Sequence, residues 1–422
     1  MCERTSTPTF SQTRRRFAPS LVGLVLISGC GRLGFSEAQD SNGSDSFRPS
    51  NAAQFGDQPL GNVEITQFRW LSSESGELYD GGGTQDRAPG MGINAGISFE
   101  LVPMADGRSL GVFVVESLTI RSGGQLRAKG ANSIAILARG DIVVEQGSFV
   151  DATGQGSLGG PGGAHGGDIN QPATGCGAGG DGLADTLTIE APPDTDGGGA
   201  GGSYATRGAD GGTHVFESEI GRSRPPCGPS FEPLQGGSGG GAGGLYMLSP
   251  ALRIGGLGGG GGGGLQLSAR GRITIAGDVS VSGGGGGDGL LGPPGGASDW
   301  GGGGGGGSGG TLLVEAPEVN IQSTAWLTAN GGGGGADVGT RSSPASLDGT
   351  PAQGTPGLPG WDMFGGNGCA GTIAATRGVT DPARDGVGGG GGCGAIRLLT
   401  ASGELPAGNT SPVASAGAIG FD

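Results

Sequence analysis

Lysine is all but missing from this chain, since Lys129 is the only one in 422 residues. A phosphate loop of the form G-x-x-x-x-G-K-[ST] has therefore one place to occur, and Lys129 is followed by Gly130, so that kind of nucleotide site is excluded. Basic side chains are scarce in general, 23 against 38 acidic ones, and the balance of −15 provides no basic surface for neutralising phosphates. Nucleic acid is excluded as a partner on that ground. Aromatic residues make up 5% of the chain and hydrophobic residues 33%, too little for the dense core of an ordinary enzyme. Histidine occurs twice, at His165 and His214, and no two cysteines have C-x-x-C spacing, so zinc is poorly supplied with ligands.

Glycine is what the chain has instead. There are 106 glycines and 25 prolines, a share at which low complexity or collagen comes into question. Collagen needs glycine at every third position, whereas here it comes in runs such as Gly258–Gly264 and Gly301–Gly307. Disorder is the other reading of a glycine-rich, apolar-poor, acidic chain. The distribution of the glycines argues against it.

Apolar residues recur at alternate positions in short bursts, the signature of strands. One burst runs from Val112 to Ala128, a second from Ile134 to Ala152, a third from Leu265 to Val281 and a fourth from Leu312 to Ala329. A fifth, degraded, starts at Ala395-Ile396-Arg397-Leu398-Leu399 and ends near Ala418. Each reads as three short strands. A unit with one apolar face cannot bury that face alone, so such units stack. The expected fold is all-β, a parallel β-helix or β-solenoid with three faces per turn and long glycine-rich insertions at about 155–263, 284–310 and 331–394. Leu405-Pro406 and Ser411-Pro412 interrupt the fifth unit, which is expected to be a cap. The insertions are expected to be mobile arms unless their backbone groups pair with one another; packed extended glycine helices are the ordered alternative. Charged residues of the repeats, Arg139, Asp141, Arg270, Arg272, Glu315 and Glu318, are expected at solvated turns.

The amino terminus reads as an export signal. Arg14-Arg15-Arg16 precedes an apolar stretch around Leu21–Ile27 that is too short to span a bilayer, and small residues follow. Ile27-Ser28-Gly29-Cys30 resembles a lipobox, which makes Cys30 the lipid attachment residue and membrane contact through a lipid anchor the expected partnership; the alternative is a plain signal peptide with a chance cysteine. Thr13-Arg14-Arg15-Arg16-Phe17 also fits a twin-arginine start, with the general secretory route favoured. Removal of residues 1–29 takes Arg4, Arg14, Arg15, Arg16 and Glu3 away and moves the balance to −18. Residues 30–60 read as a flexible tether, 61–111 as an N-terminal cap region and 112–422 as the repeats with their insertions. Gly31 after the anchor favours an outer-membrane or cell-surface address.

Export implies oxidation, and Cys176, Cys227, Cys369 and Cys393 remain as two candidate disulfides. Of three pairings the sequential one, Cys176–Cys227 and Cys369–Cys393, is favoured, because each would staple one Gly/Pro-rich stretch.

The run Leu118 to Gly130, the segment Ile134–Ala138 and the run Gly307 to Pro317 look like the uncharacterised glycine-rich lipoproteins of myxobacterial type. That resemblance covers most of residues 100–422 and the lipobox. It implies an exported, lipid-anchored β-solenoid, with no activity established for the group.

Constellations for chemistry are thin. Gly107-Arg108-Ser109-Leu110-Gly111 matches G-x-S-x-G, but in a composition this rich in glycine about two such matches arise by chance, and the true elbow opens a helix. Gly179-Gly180-Asp181-Gly182-Leu183-Ala184-Asp185 approximates a calcium nonapeptide with its Asp misplaced and no tandem copy. Asp288, Asp299, Asp337 and Asp381 read as solvated turn residues rather than calcium ligands. Trp300 and Trp361, each beside an aspartate within glycine-rich sequence, are the candidate glycan contacts. The expectation is a non-enzymatic, cofactor-free envelope or adhesion protein, with extracellular glycan or matrix as partner. The rival is a β-helix that binds or degrades extracellular polysaccharide, which would need convergent carboxylates or a basic residue on one face.

Overall fold

The computed structural model describes residues 47–52, 55–168, 170–182, 197–212, 220–244, 247–248, 251–252, 255–289, 301–336, 348–356, 364–379 and 386–420. Among them there is no helix, and the secondary structure is all strand.

The N-terminal part supplies β1 (Asn62–Ile65), β2 (Phe68–Ser72), β3 (Leu78–Tyr79), β4 (Gln85–Arg87), β5 (Gly92–Asn94), β6 (Ile97–Pro103) and β7 (Ser109–Val115). There follow β8 (Ser117–Ile120), β9 (Gln125–Lys129), β10 (Ser133–Ala138), β11 (Ile142–Val144) and β12 (Phe149–Asp151). A small antiparallel pair, β13 (Met247–Leu248) and β14 (Ala251–Leu252), stands apart. The remaining strands are β15 (Gly264–Ala269), β16 (Arg272–Ile275), β17 (Asp278–Ser280), β18 (Thr311–Glu315), β19 (Glu318–Ile321), β20 (Trp326–Thr328), β21 (Ala395–Thr400), β22 (Asn409–Ser411) and β23 (Ser415–Ala418).

Three larger sheets take these strands in rotation. The first has the order β1-β8-β11-β16-β19, the second β22-β20-β17-β12-β9-β2-β3-β4 and the third β23-β21-β18-β15-β10-β7-β6-β5. From β7 to β21 the chain passes repeatedly from third sheet to first to second, and each strand pairs in parallel with its counterpart one circuit away. The antiparallel pairs, β2 with β3, β3 with β4, β5 with β6 and β6 with β7, lie at the N-terminal end. The second and third sheets are therefore mixed.

Register turns the alternation seen in the sequence into stacked columns. Leu118 aligns with Ile142, Ile142 with Ile273 and Ile273 with Val319 in the first sheet. In the third, Phe113 aligns with Ile136, then Leu267, Val314 and Leu398. All belong to one buried apolar cluster enclosed by the three sheets. Period-two side chains in parallel register place like upon like, and each fully buried Ile or Leu contributes about 1.5–3 kcal/mol.

The third sheet is covered on both faces. In β10 every residue is buried, and Ala135 and Leu137 pack outward into a second cluster with Phe47, Ala52, Phe55, Leu234 and Leu313. The stretch read as a tether is thus docked in its C-terminal part. Asn51 Nδ2 donates to Gln266 Oε1 at 3.0 Å, and Ser50 donates from both its backbone N, at 3.3 Å, and its hydroxyl to the Glu315 carboxylate. Glu315, expected at a solvated turn, is instead buried beneath this segment, where Gln266 and Ser268 also donate to it at 2.8 and 2.7 Å. Its position in β18 faces outward from the first core, and the docked segment encloses it.

The first sheet gains no strand beyond β19, and Leu405-Pro406 lie in the irregular stretch between β21 and β22. A ring without an N–H suits such a gap.

Candidate functional site

Every long glycine-rich insertion leaves the chain at the same corner, between a strand of the second sheet and the next strand of the third: after β12, after β17 and after β20. Stacking of the circuits therefore brings the insertions side by side. Their described residues are ordered and packed, which is the alternative to free arms that sequence reasoning left open.

Residues 301–310, which run directly into β18, show how. Gly303, Gly306 and Gly309 donate their N–H groups to Gly386, Gly389 and Gly392. Gly304, Gly307 and Gly310 donate to Gly287, Gly284 and Val281, and Gly302, Gly305 and Ser308 to Gly244, Gly241 and Ser238. All nine bonds lie between 2.8 and 3.3 Å. The carbonyls accept with the same period. Gly256, Gly259 and Gly262 donate to Gly302, Gly305 and Ser308; Gly199 and Gly202 to Gly303 and Gly306; Gly335 and Gly332 to Gly304 and Gly307. One extended segment thus has six neighbours, three accepting from its N–H groups and three donating to its carbonyls.

A three-residue period of outward-pointing peptide groups is that of polyproline II, which has no internal hydrogen bonds and normally gives its backbone to water. Here neighbouring segments replace the water. All ten residues 301–310 are buried, so an unmade bond would leave a buried peptide group at a cost of about 1–3 kcal/mol. Only glycine permits the approach. A Cβ on Gly305 would lie 2.0 Å from Ala200 O, one on Gly306 2.1 Å from Gly332 O, and one on Gly391 2.0 Å from Gly307 O. Ordering glycine costs about 0.5–1 kcal/mol more than ordering Ala, and a net gain of about 0.5–1.5 kcal/mol per hydrogen bond is of the size to offset it.

The bundle has two unlike ends. At one end Gly263, Gly310 and Gly394 pass straight into β15, β18 and β21. Tyr204 is fully buried there, its hydroxyl 3.0 Å from Thr311 Oγ1 and within 3.3 Å of Gln235 O. Both disulfides, Cys176–Cys227 and Cys369–Cys393, have the sequential pairing, with Cα separations of 6.0 and 5.1 Å. Cys369 N donates to Gly391 O, and Cys393 O accepts from Ala205 and Thr206, so the second bridge ties two neighbouring segments near the sheet. At the other end described residues that flank 183–196, 245–254, 290–300, 337–347 and 380–385 are joined laterally. Gly182 donates to Ala242 O, Gly244 to Gly197 O, Gly243 to Gly256 O, Gly289 to Ala336 O and Gly303 to Gly386 O.

The carboxylates of this region serve backbone amides. Asp181 accepts from Ala242 N at 2.8 Å, and burial pushes its carboxyl above the usual range. Asp288, read as a solvated turn residue, is buried and accepts from Ala336 N at 2.8 Å and from the Thr355 hydroxyl. Among the described residues no group of three or more His, Cys, Asp or Glu could hold a metal ion. Gly107 and Arg108 close the turn between β6 and β7, each bonded to Met104, with Ser109 already paired to Pro103 in the hairpin.

Cys30, Trp300, Trp361, Asp185, Asp299, Asp337 and Asp381 lie outside the described residues. So does His214. Sequence reasoning left packed glycine helices open as an alternative; the signal that decides for them, a three-residue hydrogen-bond period, is concealed by long glycine runs.

No family model, no curated protein and no solved structure matches the chain. Fold and site together define an all-β, disulfide-bearing protein with a glycine bundle mounted on stacked parallel strands. The two disulfides fit an oxidising, extracytoplasmic environment. Among the described residues no helix is long and apolar enough to cross a membrane.

Proposed function

We propose that this is a non-enzymatic structural or adhesion protein of the cell envelope, a parallel β-solenoid held at the outer membrane or cell surface through lipid on Cys30. The observation that carries the reading is the bundle itself. An insertion serving only as a spacer has no need of a six-neighbour lattice, whereas a rigid post of ten residues at about 3.1 Å each holds its far end roughly 30 Å from the sheets. Described residues of several insertions are joined at that end, and Trp300 directly precedes Gly301 in the sequence. Thr355, which precedes the connection carrying Trp361, is bonded to Gly334 O at 3.1 Å. Aromatic residues in the sequence of these connections suit stacking on the apolar faces of sugars in an extracellular glycan or matrix.

The lipobox residues Ile27–Cys30 support the anchor, and the disulfides agree with export. Mass spectrometry of the mature N-terminus tests it: a diacylated Cys30 is expected, and an unmodified Cys30 or another cleavage site would remove the anchor from the account. A glycan array tests the tip, with selective binding lost in Trp300→Ala and Trp361→Ala. Binding that survives both substitutions would refute the assignment of those two residues.

A further inference from the structure

The outer face of the second sheet changes character along its length. From β12 onward its outward row, Asp151, Ser280, Thr328 and Ser411, is buried. At the N-terminal end the same row continues through Arg127, Trp70 and Tyr79, and here the side chains are only partly covered. Leu126, Ala128 and Leu71 point into the core. Strand alternation therefore sends Phe68, Trp70, Gln125, Arg127 and Lys129 to the outside.

These side chains interleave cation with ring. Arg127 Cζ is 5.9 Å from the centre of Phe68 and 5.6 Å from that of Trp70, and Lys129 Nζ is 5.2 Å from both Trp70 and Tyr79. Phe68 meets Trp70 edge to face at 5.2 Å. Arg127 is paired with Asp151, Nε to Oδ2 being 2.6 Å, and its Nε is buried, the rest of the guanidinium being partly exposed. Lys129, the chain's only lysine, is exposed and has no carboxylate partner among the described residues, although acidic groups outnumber basic ones in the chain. Other cations of this part of the chain are paired with carboxylates: Arg121 bridges Glu64 and Glu145, Arg69 pairs with Asp86, and Arg108 with Asp106.

We propose that Phe68, Trp70 and Tyr79 together with Arg127 and Lys129 form a binding site for an acidic, uronate-bearing polysaccharide. Rings along an open sheet face offer stacking area to pyranose C–H faces. The Lys129 ammonium, with the partly exposed Arg127 guanidinium beside it, supplies the charge that meets carboxylates. The site lies on the strand body and does not depend on what the far end of the glycine bundle contacts.

The test is binding of the full chain to polygalacturonate, with its methyl ester and phosphatidylglycerol vesicles alongside. Wild type is expected to bind the polyuronate, to bind the methyl ester at least tenfold more weakly, and to leave the vesicles unbound. Lys129→Gln, at an exposed position, is expected to weaken binding at least tenfold with an unchanged melting profile. Trp70→Leu removes the stacking ring and keeps an apolar side chain, and should have a similar effect. Trp300→Ala and Trp361→Ala should leave this binding unaltered, which separates its failure from failure of the tip assignment. No binding by wild type, equal binding of the ester, a Lys129→Gln affinity within twofold of wild type, or binding of vesicles in place of the polymer would each overturn the proposal.

Discussion

Gly305 N donates to Gly241 O at 2.8 Å, and the space a side chain on Gly305 would need is already taken by Ala200 O. Gly305→Ala is therefore expected to destabilise by about 3 kcal/mol or more, at the upper end of overpacking. Gly81 has open space around the same position, so Gly81→Ala should stay within about 1 kcal/mol of wild type. Equal melting of the two variants would contradict close packing of the bundle.

A conventional core holds the strands. Ile142 is fully buried between Leu118 and Ile273. Ile142→Ala is expected to cost about 2–5 kcal/mol by denaturant unfolding, and a change below 1 kcal/mol would speak against the stacked register.

Glu315 gives a prediction in pH. Burial raises its carboxyl above the ordinary value of 4.5, the hydroxyl and amide donors only partly opposing this. A raised carboxyl means that the folded state holds its proton to higher pH than the unfolded one. The cost of keeping it ionised is therefore present at neutral pH and fades as pH falls through the raised value toward 4.5. Glu315→Gln should melt at or above wild type at pH 7, and that margin should shrink by pH 4. A margin that grows on acidification would reverse the assigned cause.

The disulfides close loops of 51 and 24 residues. Cys369→Ser with Cys393→Ser is expected to cost about 3 kcal/mol through the unfolded chain. Far-ultraviolet circular dichroism of the strands should persist below the lowered melting point, and its immediate loss at low temperature would show that the bridge is needed for the sheets themselves.

Much of the strand body was legible because alternation survives in Ile134, Ile136 and Ala138, in Leu265, Leu267 and Ala269, and in their counterparts, with glycine excluded from the intervening positions. The sequential cysteine pairing was one of three and was favoured because each pair brackets a Gly/Pro-rich stretch; both bridges have it. Glu315 was misplaced because its solvent cover comes from Ser50 and Asn51, far away in sequence and within a stretch whose polarity suggests a tether. The aromatic row was missed because Phe68, Trp70 and Tyr79 become neighbours of Arg127 and Lys129 only through pairing of β2 with β9 and β3. The choice between free arms and a packed bundle stayed open for a different reason: a run such as Gly301–Gly307 has no side chains to pattern, so its period of three exists only in the hydrogen bonds.

Amide hydrogen exchange over residues 301–310 tests the central claim most directly, because every donor from Gly302 to Gly310 is committed to a neighbouring segment. The account predicts protection comparable to that of β15 and β18, with glycine amides still protonated after hours. Exchange of the same amides within seconds, while the strands remain protected, would contradict it.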